Sequence, residues 1–186
     1  MSVRVVHLPD AATVVLDVVA WAAVHAGTGY AVHRLPTSRL GDAWLYRRRR
    51  FEGEGFYRRV LRVPRWKDRV PEAGALFAGG VSKRALPAEE LGGLDRFVVE
   101  TRRAELGHWL AAAAGPVFVL WNPWPAAVVL VAYGMAANLP CVAIQRYNRL
   151  RAERVLSRRA ARSSTAGAVR AARRAAEPGT SGTSIP

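Results

Sequence analysis

Thr101, Glu105 and His108 are the residues of this chain best placed to do chemistry together. They stand at i, i+4 and i+7, so a helix sets all three on one face. A carboxylate beside an imidazole fixes the ring's tautomer and raises its basicity, which suits a general base acting on a hydroxyl. The competing reading is a structural one. Glu105 pairs with Arg102 or another arginine, and His108 rests at the level of lipid headgroups.

These residues belong to the first of two polar blocks. Glu100-Thr101-Arg102-Arg103-Ala104-Glu105-Leu106-Gly107-His108-Trp109 leads into an apolar stretch, and Gln145-Arg146-Tyr147-Asn148-Arg149 follows it. Nothing between the blocks is charged, and Trp121-Asn122-Pro123-Trp124-Pro125 reads as a turn. A hairpin about that turn returns both blocks to the same surface. With its centre near Pro123 and a rise of about 1.5 Å per residue in both arms, His108 stands level with Asn138. Glu100 and Arg103 then face Gln145 and Arg146, although a kink at Pro116 would shift the register.

Polar side chains at membrane depth are expensive and point to function by default. Asn138 fits that description, and a helix–helix hydrogen bond is its alternative role. Asn138 or Gln145 can donate to a developing oxyanion. Glu100 opposite Arg146 can equally be an ion pair that only holds the hairpin. Arg65, Lys67, Arg146 and Arg149, with Tyr147 and Asn148 beside them, are the candidates to hold phosphate groups. Trp66 lies between two cations, where it either stacks on a sugar or adenine or anchors in the membrane interface.

The elements that must position these residues are helical. The chain has 186 residues, 51% of them apolar, yet its formal charge is +14. The charge comes in blocks: Arg47-Arg48-Arg49-Arg50, then residues 58–69, then 146–174, while the longest apolar runs carry no Lys or Arg. That segregation favours a membrane protein over a nucleic-acid binder. The basic runs would anchor to anionic lipid or bind phosphate. An RNA-binding role for the arginine tail is a weaker reading, because no zinc-finger or RNA-recognition signature accompanies the charge.

The expected fold class is all-α: an integral membrane protein with an N-terminal transmembrane helix, a basic cytoplasmic loop and a C-terminal helical hairpin. Membrane segments are expected at about residues 11–32, 107–121 and 126–144, the last close to the roughly 20 residues needed to cross hydrocarbon. Asp17 and His25 weaken the first segment, which is read as retained rather than as a signal peptide. The second is short unless its helix begins near Leu94, and Gly115-Pro116 should kink it. Pro140 should bend the third. The arginines place the central loop and the tail in the cytoplasm, and the N-terminus and the 121–125 turn outside.

Glu52-Gly53-Glu54-Gly55 reads as a turn, residues 56–61 as a short helix, Pro71 with Gly74 as the end of that unit, and Pro87-Ala88-Glu89-Glu90 as a helix start. Residues 1–175 form one domain, and 176–186 a disordered tail.

Cys141 is the single cysteine, so no intrachain disulfide or cysteine zinc cluster exists, and its apolar setting disfavours a thiolate. No metal site is expected. There is no P-loop, dinucleotide fingerprint, metal-binding HExxH helix or nucleophile elbow. The acyltransferase pattern of His, four residues, then Asp fails at Ala113.

The two polar blocks, Ala137-Asn138-Leu139-Pro140 and the upstream Arg65-Trp66-Lys67-Asp68 together resemble the glycosyl-4,4'-diaponeurosporenoate acyltransferase family, over roughly residues 56–150. That family acts last in staphyloxanthin-type carotenoid synthesis. The resemblance implies an integral membrane O-acyltransferase that esterifies a sugar hydroxyl of a glycosylated carotenoid or related glycolipid. Its site would lie at the cytoplasmic face of the bacterial cell membrane. The expected catalytic set is His108, Glu105, Asn138 and Gln145. The expected binding set is Arg65, Trp66, Lys67, Glu100, Arg103, Arg146, Tyr147, Asn148 and Arg149. No resident cofactor is expected; acyl-CoA or an acyl-carrier protein would be the donor. Partners would be membrane lipid, the glycosylated acceptor and the acyl donor, with no nucleic acid. The alternative is a non-enzymatic small membrane protein with lipid-binding basic segments.

Overall fold

The computed structural model describes residues 5–41, 44–70 and 93–176, and every regular element among them is helical. The four α-helices are α1 (Asp10–Arg34), α2 (Val63–Trp66), α3 (Gly93–Ala113) and α4 (Trp124–Ala176). Short tight turns connect them: 3-10 turns at Thr37–Leu40, Trp44–Tyr46, Lys67–Arg69 and Gly115–Leu120, and a π-turn at Phe56–Val60. The segments expected around Pro71, around residues 87–90 and in the tail from Glu177 lie outside the described residues.

Local chemistry sets the ends of these helices. Asp10 occupies the first turn of α1, where an acid complements the helix dipole, and α1 stops at Leu35, which is extended at ψ 130. The next residue is Pro36, and a proline disfavours the helical conformation in its predecessor. Gly115-Pro116 ends α3 instead of merely kinking it, and the chain tightens into a 3-10 turn up to Leu120. Residues 107–121 are therefore not one membrane helix.

α4 departs furthest from expectation. It runs unbroken for 53 residues, with Pro140 inside it, about 80 Å at 1.5 Å per residue. Ala and Arg dominate its second half, and both are strong helix formers. The helix therefore continues past the end of the apolar run.

α1 and α4 are the two described helices long and apolar enough to cross a membrane. Only 11% and 28% of their apolar windows is buried inside the protein. Val14, Val15, Val18 and Val19 on α1, and Val128, Val129 and Tyr133 on α4, face outward. A surface of that kind is stable against hydrocarbon and costly against water.

α3 and α4 pack as an antiparallel hairpin, with α1 laid against α3. The near end is closed by aromatic packing. Trp21 of α1 stacks on Phe118 at 4.7 Å and meets Tyr133 edge-on at 5.3 Å. Gly134 lets that indole in, since a Cβ there would lie 2.5 Å from the ring. Close backbone approach through small residues is how helices associate without a hydrophobic drive. Asp17, the charge that weakened α1 as a span, accepts hydrogen bonds from Trp121 Nε1 and Asn122 Nδ2, each at 2.8 Å. Trp121 is thus tied to α1, whereas Trp124 is exposed.

At the other end, the segment 44–70 caps α4. Tyr57 and Val63 pack on Ile144 and Tyr147, with Trp66 and Val70 alongside. A second cluster joins Leu94 and Phe97 to Ala152.

Candidate active site

The hairpin brings His108 of α3 and Asn138 of α4 together, with His108 Nδ1 3.0 Å from Asn138 Oδ1. Asn138 is 1% exposed, and its Nδ2 donates to the Gly134 carbonyl at 2.8 Å. That back-bond sets which way the amide faces. The oxygen toward the imidazole can only accept, so Nδ1 carries a proton, and in the neutral ring Nε2 has the lone pair. His108 itself is half-buried. This pair is the one whose level follows from counting residues on either side of the turn. Asn138 turns its oxygen to the ring, and one of its two N–H groups serves Gly134.

Glu105 does not orient His108. It is fully buried, and its carboxylate goes to cations and an indole. Arg146 Nε donates to Oε1 at 2.7 Å, Trp109 Nε1 lies 3.4 Å from the same oxygen, and Arg149 Nη1 lies 2.7 Å from Oε2. The last contact is an ion pair by distance and is off the line of a hydrogen bond.

Arg146 was expected opposite Glu100. Side chains on a helix lean toward its N-terminus. On α4 that direction is toward the hairpin turn, so the long arginine reaches a turn further and finds Glu105. Glu100 pairs instead with Arg103 of its own helix at 3.2 Å. Arg103 also donates to the carbonyls of Val32, His33 and Leu35, where it closes the carbonyl end of α1.

Sequence reading missed Glu52, Tyr46 and Tyr57. The Arg146 guanidinium serves three acceptors: Glu105 on α3, and the Glu52 carboxylate and Leu45 carbonyl of segment 44–70, the last at 2.9 Å. Tyr57 O–H donates to Glu52 Oε1 at 3.1 Å, and the Arg49 N–H to Oε2 at 2.8 Å. Burial pushes the Glu52 carboxyl up, but the Arg49 N–H and the Arg146 guanidinium outweigh it and hold it below the usual carboxylate range. Burial and then the Glu52 charge push the Tyr57 phenol well up. Burial also raises Tyr46, helped by Glu105. The available signal was an acidic pair, Glu52 and Glu54, set in a strongly basic loop, where counter-ions are scarce. Glu54 accordingly takes Arg58 and Arg154.

Tyr46, Arg48, Glu52, Arg102, Arg146 and Arg149 line a cavity of about 170 Å³ beside this network. The remaining expected residues lie around it. Gln145 is half-buried, and Tyr147 and Asn148 are buried. Trp66 donates to the Leu61 carbonyl at 2.8 Å and packs on the Tyr57–Ile144 cluster. Lys67 is buried and pairs with Asp68 at 2.6 Å, while Arg65 is exposed. Among the described residues no group of three or more His, Cys, Asp or Glu side chains could hold a metal ion.

Known proteins are similar to this chain over the stretch that holds most of these residues. Residues 42–158 match the family model described as glycosyl-4,4'-diaponeurosporenoate acyltransferase, a range that includes Glu52, Glu105, His108, Asn138, Arg146 and Arg149. A protein of that name from Staphylococcus aureus (strain MRSA252) is 33% identical over 118 residues, covering 60% of this chain and 70% of the relative. One from Staphylococcus haemolyticus (strain JCSC1435) is 29% identical over 139 residues, covering 72% and 78%. No solved structure matches the chain.

Proposed function

Since the chain belongs to the glycosyl-4,4'-diaponeurosporenoate acyltransferase family, we propose that it is a membrane O-acyltransferase that moves a fatty acyl group onto a sugar hydroxyl of a glycosylated carotenoid or related glycolipid. The names of its relatives support the acceptor class, and the two apolar helices support the setting. The arginine distribution argues for a multi-pass protein of the bacterial cell membrane with its site on the cytoplasmic side.

The single observation that carries the reading is the His108–Asn138 contact at 3.0 Å. In this mechanism Nε2 takes the proton of the sugar hydroxyl as its oxygen attacks the acyl carbonyl of a thioester, either acyl-CoA or an acyl-carrier protein. The tetrahedral oxyanion collapses, the thiolate leaves, and His108 returns the proton to it. Asn138 keeps Nδ1 protonated throughout. Gln145, two turns along the same face of α4, is the proposed oxyanion donor. The acyl chain and the polyene lie along the apolar faces of the hairpin. Glu105 acts at a remove, as the buried anion that fixes Arg146 and Arg149. Those arginines, with Arg48 and Arg102, give the cavity its positive wall for donor phosphates.

One observation favours the non-enzymatic alternative: Arg146 and Arg149 are already paired with Glu52 and Glu105. The test is His108→Ala in membranes, with mass spectrometry of the acylated glycolipid or glycocarotenoid. A catalytic base predicts a loss of about 10²-fold or more with yield and melting kept. A packing residue predicts lost yield. Undiminished product would remove His108 from the mechanism.

A further inference from the structure

The second half of α4 leaves the protein. Up to Arg154 its arginines are used by the cap: Arg151 lies over Tyr147 at 5.5 Å, and Arg154 meets Glu54. Residues 160–173 are all exposed. They continue the helix that spans the apolar layer, so their height follows from the rise. Arg158 stands about 20 Å beyond Gln145 and Arg173 about 42 Å. Between Arg154 and Ala176 there is no acidic residue. At 3.6 residues per turn Arg158, Arg162, Arg170 and Arg173 fall within about 120° of one another. Ser157, Ala160, Ser164, Ala168 and Ala171 form the opposite side. The result is a stiff arm with one cationic face, and most of it lies beyond the segment that matches the family.

Its length decides what it can touch. The potential of an anionic bilayer decays over a Debye length of about 8 Å at physiological salt. Arginines 20–42 Å out, on a helix continuous with the span, stand beyond that reach. Nucleic acid is disfavoured as well: no Phe, Tyr or Trp follows Tyr147, so the arm has no ring on which a base can stack. A small soluble protein with an acidic face matches the charge, and the arm projects on the side where the proposed reaction takes place.

We propose that residues 158–173 of α4 form a docking arm for an acidic, soluble acyl-carrier protein that delivers the acyl group as a thioester. This rests on the acyltransferase reading above. The test uses the full chain in lipid nanodiscs and purified bacterial acyl-carrier protein as probe. The variant combines Arg158→Gln, Arg162→Gln, Arg170→Gln and Arg173→Gln, which keeps helix-forming residues at exposed positions. The arm predicts a Kd for the carrier protein weakened by about tenfold or more in the variant, with binding by the parent falling steeply as salt rises. Melting, and acyl transfer from acyl-CoA, should match the parent. Equal carrier affinity in parent and variant overturns the proposal. So does a variant that loses only its binding to phosphatidylglycerol-containing discs, or to RNA. Carrier binding that depends on the arm, with no transfer from either donor in the parent, would leave the docking intact and strike the acyltransferase reading alone.

Discussion

Removing Arg146 is the sharpest perturbation of the site. Its guanidinium serves Glu105, Glu52 and the Leu45 carbonyl at once, and so ties α3, the central segment and α4 together. In Arg146→Ala, Glu105 keeps Arg149 and Trp109, whereas Glu52 keeps only the Tyr57 hydroxyl and the Arg49 N–H. The two carboxylates are 0% and 9% exposed, so water does not replace the lost partner. Breaking a buried pair costs about 3–5 kcal/mol. With Arg149 still present the lower end applies, about 3 kcal/mol, or roughly 6–12 °C in the melting midpoint for a chain of this size. Arg146→Lys should cost about half as much, because one ammonium cannot span three acceptors set around a planar fork.

The assay is thermal unfolding of purified protein in a fixed detergent. Arg146→Met separates charge from packing. It restores the stem, so on this reasoning it melts close to the alanine variant, and adding Glu52→Gln to it recovers about 1 kcal/mol. An alanine variant within about 3 °C of the parent would refute the argument. A methionine variant that regains full stability would do so as well.

Other outcomes follow from neighbouring contacts. The Glu52 carboxyl is held below its ordinary value of 4.5. Its contribution to stability is therefore complete above that pH and disappears as pH falls through the lower folded value; a melting-against-pH series should show Glu52→Gln with a flatter acid limb. Asp17→Leu takes the acceptor from Trp121 Nε1 and leaves Asn122 Nδ2 with the Phe118 carbonyl, and should cost about 1–3 kcal/mol. Asp17→Asn keeps the oxygen and should melt within about 3 °C of the parent, so equal losses in the two would discount those hydrogen bonds. Gly134→Ala drives a methyl into the Trp21 ring and should cost about 1–3 kcal/mol. Combining it with Trp21→Ala should then cost no more than Trp21→Ala alone, and a purely additive pair would count against that contact.

Sequence alone determined the helical character, the apolar runs long enough to cross a membrane and the level of His108 with Asn138. Each depends on a local periodic quantity: runs of apolar residues, blocks of arginine, and a constant rise on either side of Pro123. The family resemblance rested on the same contiguous blocks. Tertiary structure decided the partners. No periodicity says that Glu105 turns from His108 to Arg146, since that depends on how far a long side chain leaning toward the turn can reach. Glu52 lies 53 residues before Glu105 in the chain, and only the folding of the central segment onto α4 brings both to one guanidinium. The extent of α4 was equally hidden. The apolar run ends at Ile144, but Ala and Arg propagate a helix in water as Val and Leu do in lipid, so the end of the span and the end of the helix are separate facts.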